Sequence, residues 1–111
     1  MIIDDIRRGD IFWIENENAV GAEQSGKRPA VVVSNDIGNQ NTKCPIVEIV
    51  YLTTAKKKPL PTHVDIREGT VICEQISTID KSRLCGYVRS LGEREMLQVN
   101  RAMMVSLGMI L

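Results

Sequence analysis

Arg28 stands at the junction between a polar, glycine-containing segment and the apolar run Ala30–Val33. The next residue, Pro29, favours extended backbone at Arg28, and the β-branched run that follows predicts a stiff strand. A guanidinium is permanently charged and presents a planar fork of N–H donors, so Arg28 can hold a phosphate and stabilise negative charge as it develops. The alternative is a surface arginine that pairs with Glu23 or with a backbone carbonyl.

Hydroxyl, amine and imidazole groups elsewhere in the chain could serve the same anionic ligand. Thr53 and Thr54 end a β-prone segment, where a hydroxyl can donate to a phosphate oxygen, although threonine is common in strands. The basic turn Lys56–Lys58 could follow an RNA or DNA backbone, or it could be a solvated turn. His63, the single histidine, suits acid–base chemistry or a structural place in its strand.

The cysteines of this sequence do not indicate a metal centre. Cys44, Cys73 and Cys85 form no C-x-x-C pair, and only His63 could join them as a nitrogen ligand. The sequence contains neither a Walker-type phosphate loop nor an H-E-x-x-H motif. We therefore expect no metal ion and no other cofactor, and we expect free thiols, which fit a reducing cytoplasm.

Length and composition are those of an ordinary globular domain. The 111 residues predict a single domain, residues 1–111. The 14 basic residues balance the 14 acidic ones, so any nucleic acid binding must come from a local patch. The N-terminal segment lacks the apolar region of a signal peptide, and no apolar stretch has the length of a membrane span. We expect a cytoplasmic protein with no membrane partner.

Short strands must position most of these residues. Strands are predicted from continuous or alternating apolar patterns at Ile11–Ile14, Ala30–Val33, Pro45–Leu52, Thr62–Ile66, Thr70–Cys73 and Gly86–Arg89. Segment 15–27 has no apolar periodicity and predicts a long loop of the kind that is often functional. The composition of Ser34–Asn39 predicts a turn.

A change of period near the end of the chain predicts a C-terminal helix. Ser90 and Glu93 have the spacing of a capping box. Met96, Val99 and Met103 then recur at helical intervals over about fifteen residues. Together with the strands, this helix predicts a small, mostly antiparallel β-barrel with helical decoration.

Six motifs in a fixed order resemble the MazF/PemK/Kid family of toxin endoribonucleases from toxin–antitoxin modules. They are Arg8–Phe12, Gly21–Pro29, Ser34–Asn39, Leu60–Val64, Glu74–Asp80 with Arg83–Leu84, and Val105–Gly108. The resemblance covers nearly the whole chain. It implies a fold that is mainly β with α, a small SH3-like, CcdB/PemK-type antiparallel β-barrel with a C-terminal helix, in a cytoplasmic homodimer.

The resemblance also implies an activity and a set of site residues. Members of the family cut single-stranded RNA at short sequences without a metal ion; the 2′-hydroxyl is the nucleophile, and the ends are a 2′,3′-cyclic phosphate and a 5′-hydroxyl. On this sequence the implied catalytic residues are Arg28, Thr53 and Glu23, with His63 a second candidate for proton transfer. The residues expected to contact RNA are Gly21, Gln24, Lys27, Thr54, Lys56, His63 and Gln75. Thr54 is also the alternative to Thr53 as the catalytic threonine.

The resemblance implies a protein partner as well. We expect a cognate antitoxin whose extended, disordered tail folds over the Arg28 groove. The alternative function is a non-catalytic toxin of the same fold that binds a protein target such as DNA gyrase, and the intact Lys27-Arg28-Pro29 motif argues against it. Many relatives have a serine where this chain has Ala22, so we expect altered RNA recognition by that loop.

Overall fold

The structure is a computed structural model that describes residues 5–15, 27–55 and 58–111. The predicted loop 15–27 lies almost wholly outside these residues, as do Lys56 and Lys57 of the predicted basic turn. Among the helices described, none is long and apolar enough to cross a membrane.

Six strands and two helices make up the described part of the chain. The strands are β1 (Asp10–Ile14), β2 (Arg28–Val32), β3 (Ile46–Thr53), β4 (His63–Ile66), β5 (Gly69–Asp80) and β6 (Leu84–Ser90). The helices are α1 (Asp36–Asn39) and α2 (Glu93–Ser106), and a single 3-10 turn, Lys81–Arg83, joins β5 to β6. All strand pairs are antiparallel, in the order β4-β5-β3-β2-β1-β6. The predicted mainly β fold with a C-terminal helix is confirmed, and in the described residues the hydrogen-bonded sheet is open, with β4 and β6 at its edges.

Apolar side chains cover both faces of the sheet centre. On one face, Val31 of β2 and Val50 of β3 pack in a cluster with Val99 and Ala102 of α2. On the other face, residues one position along each strand form a second cluster that includes Val32. Because both faces are covered, β2 reads as a continuous apolar run instead of alternating with polar residues.

Two local predictions from the sequence were wrong. The capping box does not use Ser90 and Glu93, because β6 continues through Ser90, whose hydroxyl donates to Asp10 at 2.5 Å. Helix α2 begins two residues later than that spacing requires, where Glu95 accepts a hydrogen bond from the backbone N–H of Gly92 at 2.9 Å. The turn predicted at Ser34–Asn39 contains the short helix α1, because Asn35 caps its N-terminus.

Strand β5 is much longer than the predicted Thr70–Cys73, because it pairs with two neighbours. Its first residues, from Gly69 to Ile72, pair with β4 on one side, and Thr70 and Val71 also pair with β3 on the other; its last residues, from Ile76 to Asp80, pair with β3 alone among the described strands. The β3–β5 register shifts between Val50 and Leu52 of β3. A register shift of this kind leaves extra residues on one strand, bends that strand and re-aims its side chains.

Candidate active site

Arg28 and Thr53 lie at the adjoining ends of two neighbouring strands. The β2–β3 ladder runs from the pair Val32–Ile49 to the pair Ala30–Tyr51. The paired residues end there, and a continuation of the same register by two residues would place Arg28 opposite Thr53. Both residues then lie on the face of Ala30 and Tyr51, because successive side chains alternate across a strand. Residues directly opposite each other in an antiparallel pair are close enough for their side chains to act on one ligand.

Among the residues that the structure describes, two side chains hold the guanidinium of Arg28. Its central carbon lies 4.3 Å from the centre of the Tyr51 ring, a cation–π distance. One Nη2–H donates to Oε1 of Gln75 at 2.9 Å. The side chain is exposed, and a guanidinium has five N–H donors. Arg28 is therefore oriented and still has donors to offer an incoming anion.

Gln75 reaches Arg28 because of the register shift in β5. Ile76 pairs with Val50 of β3, and Val71 pairs with Leu52, so Gln75 lies in the extra segment opposite Tyr51. The Oε1 of Gln75 must face the guanidinium, since a guanidinium has no acceptor. Its amide nitrogen then does not face the guanidinium, and its N–H groups can donate to an incoming anion.

The backbone and the hydroxyl of Thr53 are both fixed. Its Oγ1 accepts a hydrogen bond from the backbone N–H of Ala55 at 3.1 Å. The hydroxyl proton then points elsewhere and can be donated. A Cβ at Gly69 would lie 2.5 Å from the Thr53 carbonyl oxygen, so the β4–β5 turn is pressed directly against this residue. Thr54 follows the end of β3 and is exposed.

His63 is bound on both sides of its ring. Nε2 lies 2.9 Å from Glu74 and Nδ1 lies 3.2 Å from the carbonyl of Lys58, and only 8% of the His63 side chain is exposed. Thr62 also donates to Glu74, at 2.8 Å. Burial raises the pKa of Glu74, but the hydrogen bonds from His63 and Thr62 outweigh it and hold the pKa below its ordinary value. Both ring nitrogens of His63 are therefore engaged by neighbouring groups of the same protein.

The cysteines provide neither a disulfide nor a cluster of metal ligands. All three thiols are free, as the sequence predicted. Burial, together with the charge of Glu74, raises the pKa of the Cys73 thiol to about 12. No group of three or more His, Cys, Asp or Glu residues within 5–15, 27–55 and 58–111 is placed to hold a metal ion.

Comparison with known families supplies what this geometry alone does not. Residues 7–107 match the family described as PemK-like, MazF-like toxin of type II toxin-antitoxin system. The chain belongs to this family.

Individual relatives of this PemK/MazF-like chain cover it almost completely. Endoribonuclease EndoA of Bacillus subtilis (strain 168) is 38% identical over 113 residues, which span 95% of this chain and 97% of EndoA. A mycobacterial endoribonuclease, solved in complex with its cognate antitoxin, superposes with a TM-score of 0.81 at 26% identity and covers 96% of this chain and 99% of its own. MazE–MazF from Deinococcus radiodurans gives a TM-score of 0.78 at 23% identity, with 95% and 97% covered, and supports the fold.

The residues predicted as the site of this PemK/MazF-like chain are only partly brought together. Arg28 and Gln75 are in contact, Thr53 ends the strand next to that of Arg28, and Lys27 and Thr54 are exposed beside them in the chain. His63 does not contact Arg28 and is engaged by Glu74 instead. The predicted residues that lie outside the described part of the chain are Gly21, Glu23, Gln24 and Lys56.

Tyr51 was not assigned a role from the sequence, although it contacts Arg28. Tyr51 and Thr53 are two residues apart, which places both on one face of a strand. That spacing is the sequence feature that could have pointed to Tyr51. The register that brings Arg28 to the same place depends on two strands, so the sequence pattern of one strand does not reveal it.

Proposed function

We propose that this chain is an endoribonuclease toxin of a type II toxin–antitoxin module. Its membership of the PemK/MazF-like family and its identity with EndoA support that activity. The observation that carries the proposal is the exposed guanidinium of Arg28 at the start of β2, which contacts Gln75 and Tyr51, together with the position of Thr53 at the end of the neighbouring strand β3. This pair suits a phosphate flanked by ribose hydroxyls.

The proposed reaction cleaves single-stranded RNA without a metal ion. The ribose 2′-oxygen attacks the adjacent phosphorus and loses its proton, the P–O5′ bond breaks, and the 5′-oxygen leaves as a hydroxyl after it gains a proton. The products are a 2′,3′-cyclic phosphate and a 5′-hydroxyl. Negative charge increases on the non-bridging oxygens during the attack, and donors from Arg28 and Thr53 stabilise it.

We propose Glu23, implied by the family resemblance, for the proton transfers in place of His63. A guanidinium keeps its proton near neutral pH, so Arg28 stabilises charge and is a poor base. The ring of His63 is largely buried and both of its nitrogens lie against Glu74 and the Lys58 carbonyl, so it is poorly placed to reach the 2′-hydroxyl. We therefore assign the proton transfer from the nucleophile to Glu23.

We also propose the partners and the compartment of this toxin. Relatives have been solved with an antitoxin, and an extended disordered tail would cover the Arg28 groove of this chain and block RNA. Several apolar side chains in and after α2 are exposed, namely Leu97, Leu107, Met109 and Leu111. Exposed apolar groups in one region favour coverage by another chain, in agreement with a homodimer. The free thiols agree with a cytoplasmic location.

The test is incubation of the purified protein with a long mixed-sequence RNA in EDTA, followed by mapping of the ends. We expect cuts at a short sequence, with cyclic phosphate and 5′-hydroxyl ends. Arg28→Ala should lower the cleavage rate by roughly 100- to 1,000-fold and Thr53→Val by roughly 10-fold or more, since each removes a donor to the charged transition state. The matched control is Thr78→Val, which alters an exposed threonine on another strand, β5.

Three outcomes would contradict parts of this proposal. An RNA that survives in EDTA but is cut when a divalent ion is added would exclude the metal-independent reaction. A loss of activity in Thr54→Val with full activity in Thr53→Val would show that the register assignment is wrong. Inhibition of DNA gyrase without RNA cleavage would favour the non-catalytic alternative.

A further inference from the structure

Tyr51 is the aromatic residue against which the guanidinium of Arg28 lies, at 4.3 Å from the ring centre. It is half-buried and packs on the apolar cluster that contains Ala30 and Ile49. Its backbone is fixed by pairing with Ala30 in the β2–β3 ladder. The ring is therefore a rigid surface that supports the long, exposed side chain of Arg28.

Two contacts of different kinds, one with an aromatic ring and one a hydrogen bond, restrict the guanidinium of Arg28. The central carbon of the guanidinium lies over the Tyr51 ring, and Oε1 of Gln75 accepts a hydrogen bond from Nη2 at 2.9 Å. A free arginine side chain has a large rotamer entropy that is lost when it binds a ligand. Contacts already present in the free protein reduce that loss at the moment of reaction.

We propose that Tyr51 is a positioning residue that, together with Gln75, sets the guanidinium of Arg28 for the transition state. This inference rests on the proposed nuclease function and deepens it. The ring is not a stacking platform for an RNA base, because the guanidinium already covers its face. Tyr51 acts through Arg28 and does not itself touch the reacting phosphate.

The inference predicts that removal of the Tyr51 ring changes kcat and KM differently. If Tyr51 orients Arg28 for charge that develops in the transition state, its removal lowers kcat and leaves KM nearly unchanged. If Tyr51 instead stacked on a base, its removal would raise KM. The variant Tyr51→Leu keeps an apolar side chain on the cluster but removes the ring, whereas Tyr51→Phe keeps the ring and loses only the hydroxyl.

We expect Tyr51→Leu to lower kcat roughly 3- to 10-fold, as befits a cation–π contact, with KM within about twofold of the wild-type value. Tyr51→Phe should retain both constants. In the Arg28→Lys background, Tyr51→Leu should have a smaller effect than in the wild type, because its target has lost the planar fork. A rise in KM at unchanged kcat, or equal effects in both backgrounds, would overturn the proposal.

Fluorinated phenylalanines at position 51 separate ring electrostatics from packing and avoid any failure of Tyr51→Leu to fold. Successive fluorination weakens the negative ring face but hardly changes its size, so kcat should fall stepwise along the series. A flat series would overturn the proposal.

A measurement on the free protein separates failure of this inference from failure of the proposed function. The Arg28 side-chain protons should show upfield NMR shifts from the ring current in wild type and in Tyr51→Phe, but not in Tyr51→Leu. A shift that is present in a protein that cuts no RNA would refute the nuclease function and leave the contact intact. The absence of any shift in the wild type would refute the contact itself.

Discussion

Arg89 on β6 and Glu68 in the β4–β5 turn form a two-point ion pair, with Nε–Oε2 and Nη2–Oε1 distances of 2.6 and 2.9 Å. Arg89 also donates to both carboxylate oxygens of Glu95 on α2, at 2.8 and 2.9 Å. These contacts join the two open edges of the sheet through side chains. The turn that they hold leads directly into Gly69, which lies against the Thr53 backbone, so the ion pairs fix a segment that contacts the candidate site.

Replacement of Arg89 should destabilise the fold. Arg89→Met removes the shared cation and leaves the carboxylates of Glu68 and Glu95 facing each other, so we expect a loss of about 2–3 kcal/mol in the free energy of unfolding. Urea denaturation followed by circular dichroism measures it. Arg94→Met, at an exposed arginine of α2, is the matched control and should change stability by less than about 0.5 kcal/mol. Equal losses in the two variants would contradict the role of the cluster.

Acid should weaken the same cluster. Hydrogen bonds from Arg89, then from the backbone N–H of Gly92, lower the pKa of Glu95 from 4.5 to about 2, and the hydrogen bonds from Arg89 likewise lower the pKa of Glu68. A lowered folded-state pKa contributes stability that is complete above the unfolded pKa and is lost as pH falls through the folded pKa. We expect Glu95 to contribute about 2 kcal/mol, less than its shift alone implies because it is partly solvent-screened.

Urea titrations at a series of pH values test the acid prediction. Stability should decline between about pH 5 and pH 2, the interval set by the unfolded and folded pKa values of Glu95. The decline should be smaller in Glu95→Gln, which has no carboxylate to protonate. The same decline in both proteins would assign the acid sensitivity to other groups.

Substitution of Gly69 should affect both stability and cleavage. Gly69 has φ +145°, and an added Cβ would meet the Thr53 carbonyl oxygen at 2.5 Å, so Gly69→Ala combines backbone strain with a clash. We expect a loss of about 2–4 kcal/mol in unfolding free energy, and a lower RNA cleavage rate at temperatures where the variant is folded. Gly108→Ala is the control, since φ is +74° but nothing lies within 4 Å of the added Cβ, and cleavage by it should be unchanged.

The hydrogen bond between His63 and Glu74 should protect a ring N–H of His63 from exchange with water. Nε2 lies 2.9 Å from a carboxylate oxygen of Glu74, which accepts the bond, and only 8% of the His63 side chain is exposed. Since His63 is the single histidine, its imidazole NMR signals are unambiguous. The Nε2–H should exchange slowly in the wild type and faster in Glu74→Gln, whose side chain lacks the charge of the carboxylate. Equal exchange rates in the two proteins would contradict this hydrogen bond.

Local patterns predicted the elements that carry the site. The valines of β2, the apolar repeat of α2 and the β-prone run of β3 each specify a periodicity within one segment, and a periodicity fixes which residues share a face. The sequence therefore located Arg28 at a strand start and Thr53 at a strand end. The sequence placed the N-terminal cap of α2 two residues too early, because the hydroxyl of Ser90 donates to Asp10 across the sheet and does not cap the helix.

By itself, the sequence determined which segments are strands and helix, which residue types are available for phosphate chemistry and, through ordered motifs, the family. Only the tertiary structure decided which of those residues meet. Arg28 and Gln75 are 47 residues apart, and their contact depends on strand order and on the register shift in β5. Periodicity sets the face of a strand but not its partner or its register, because those follow from the packing of all six strands together.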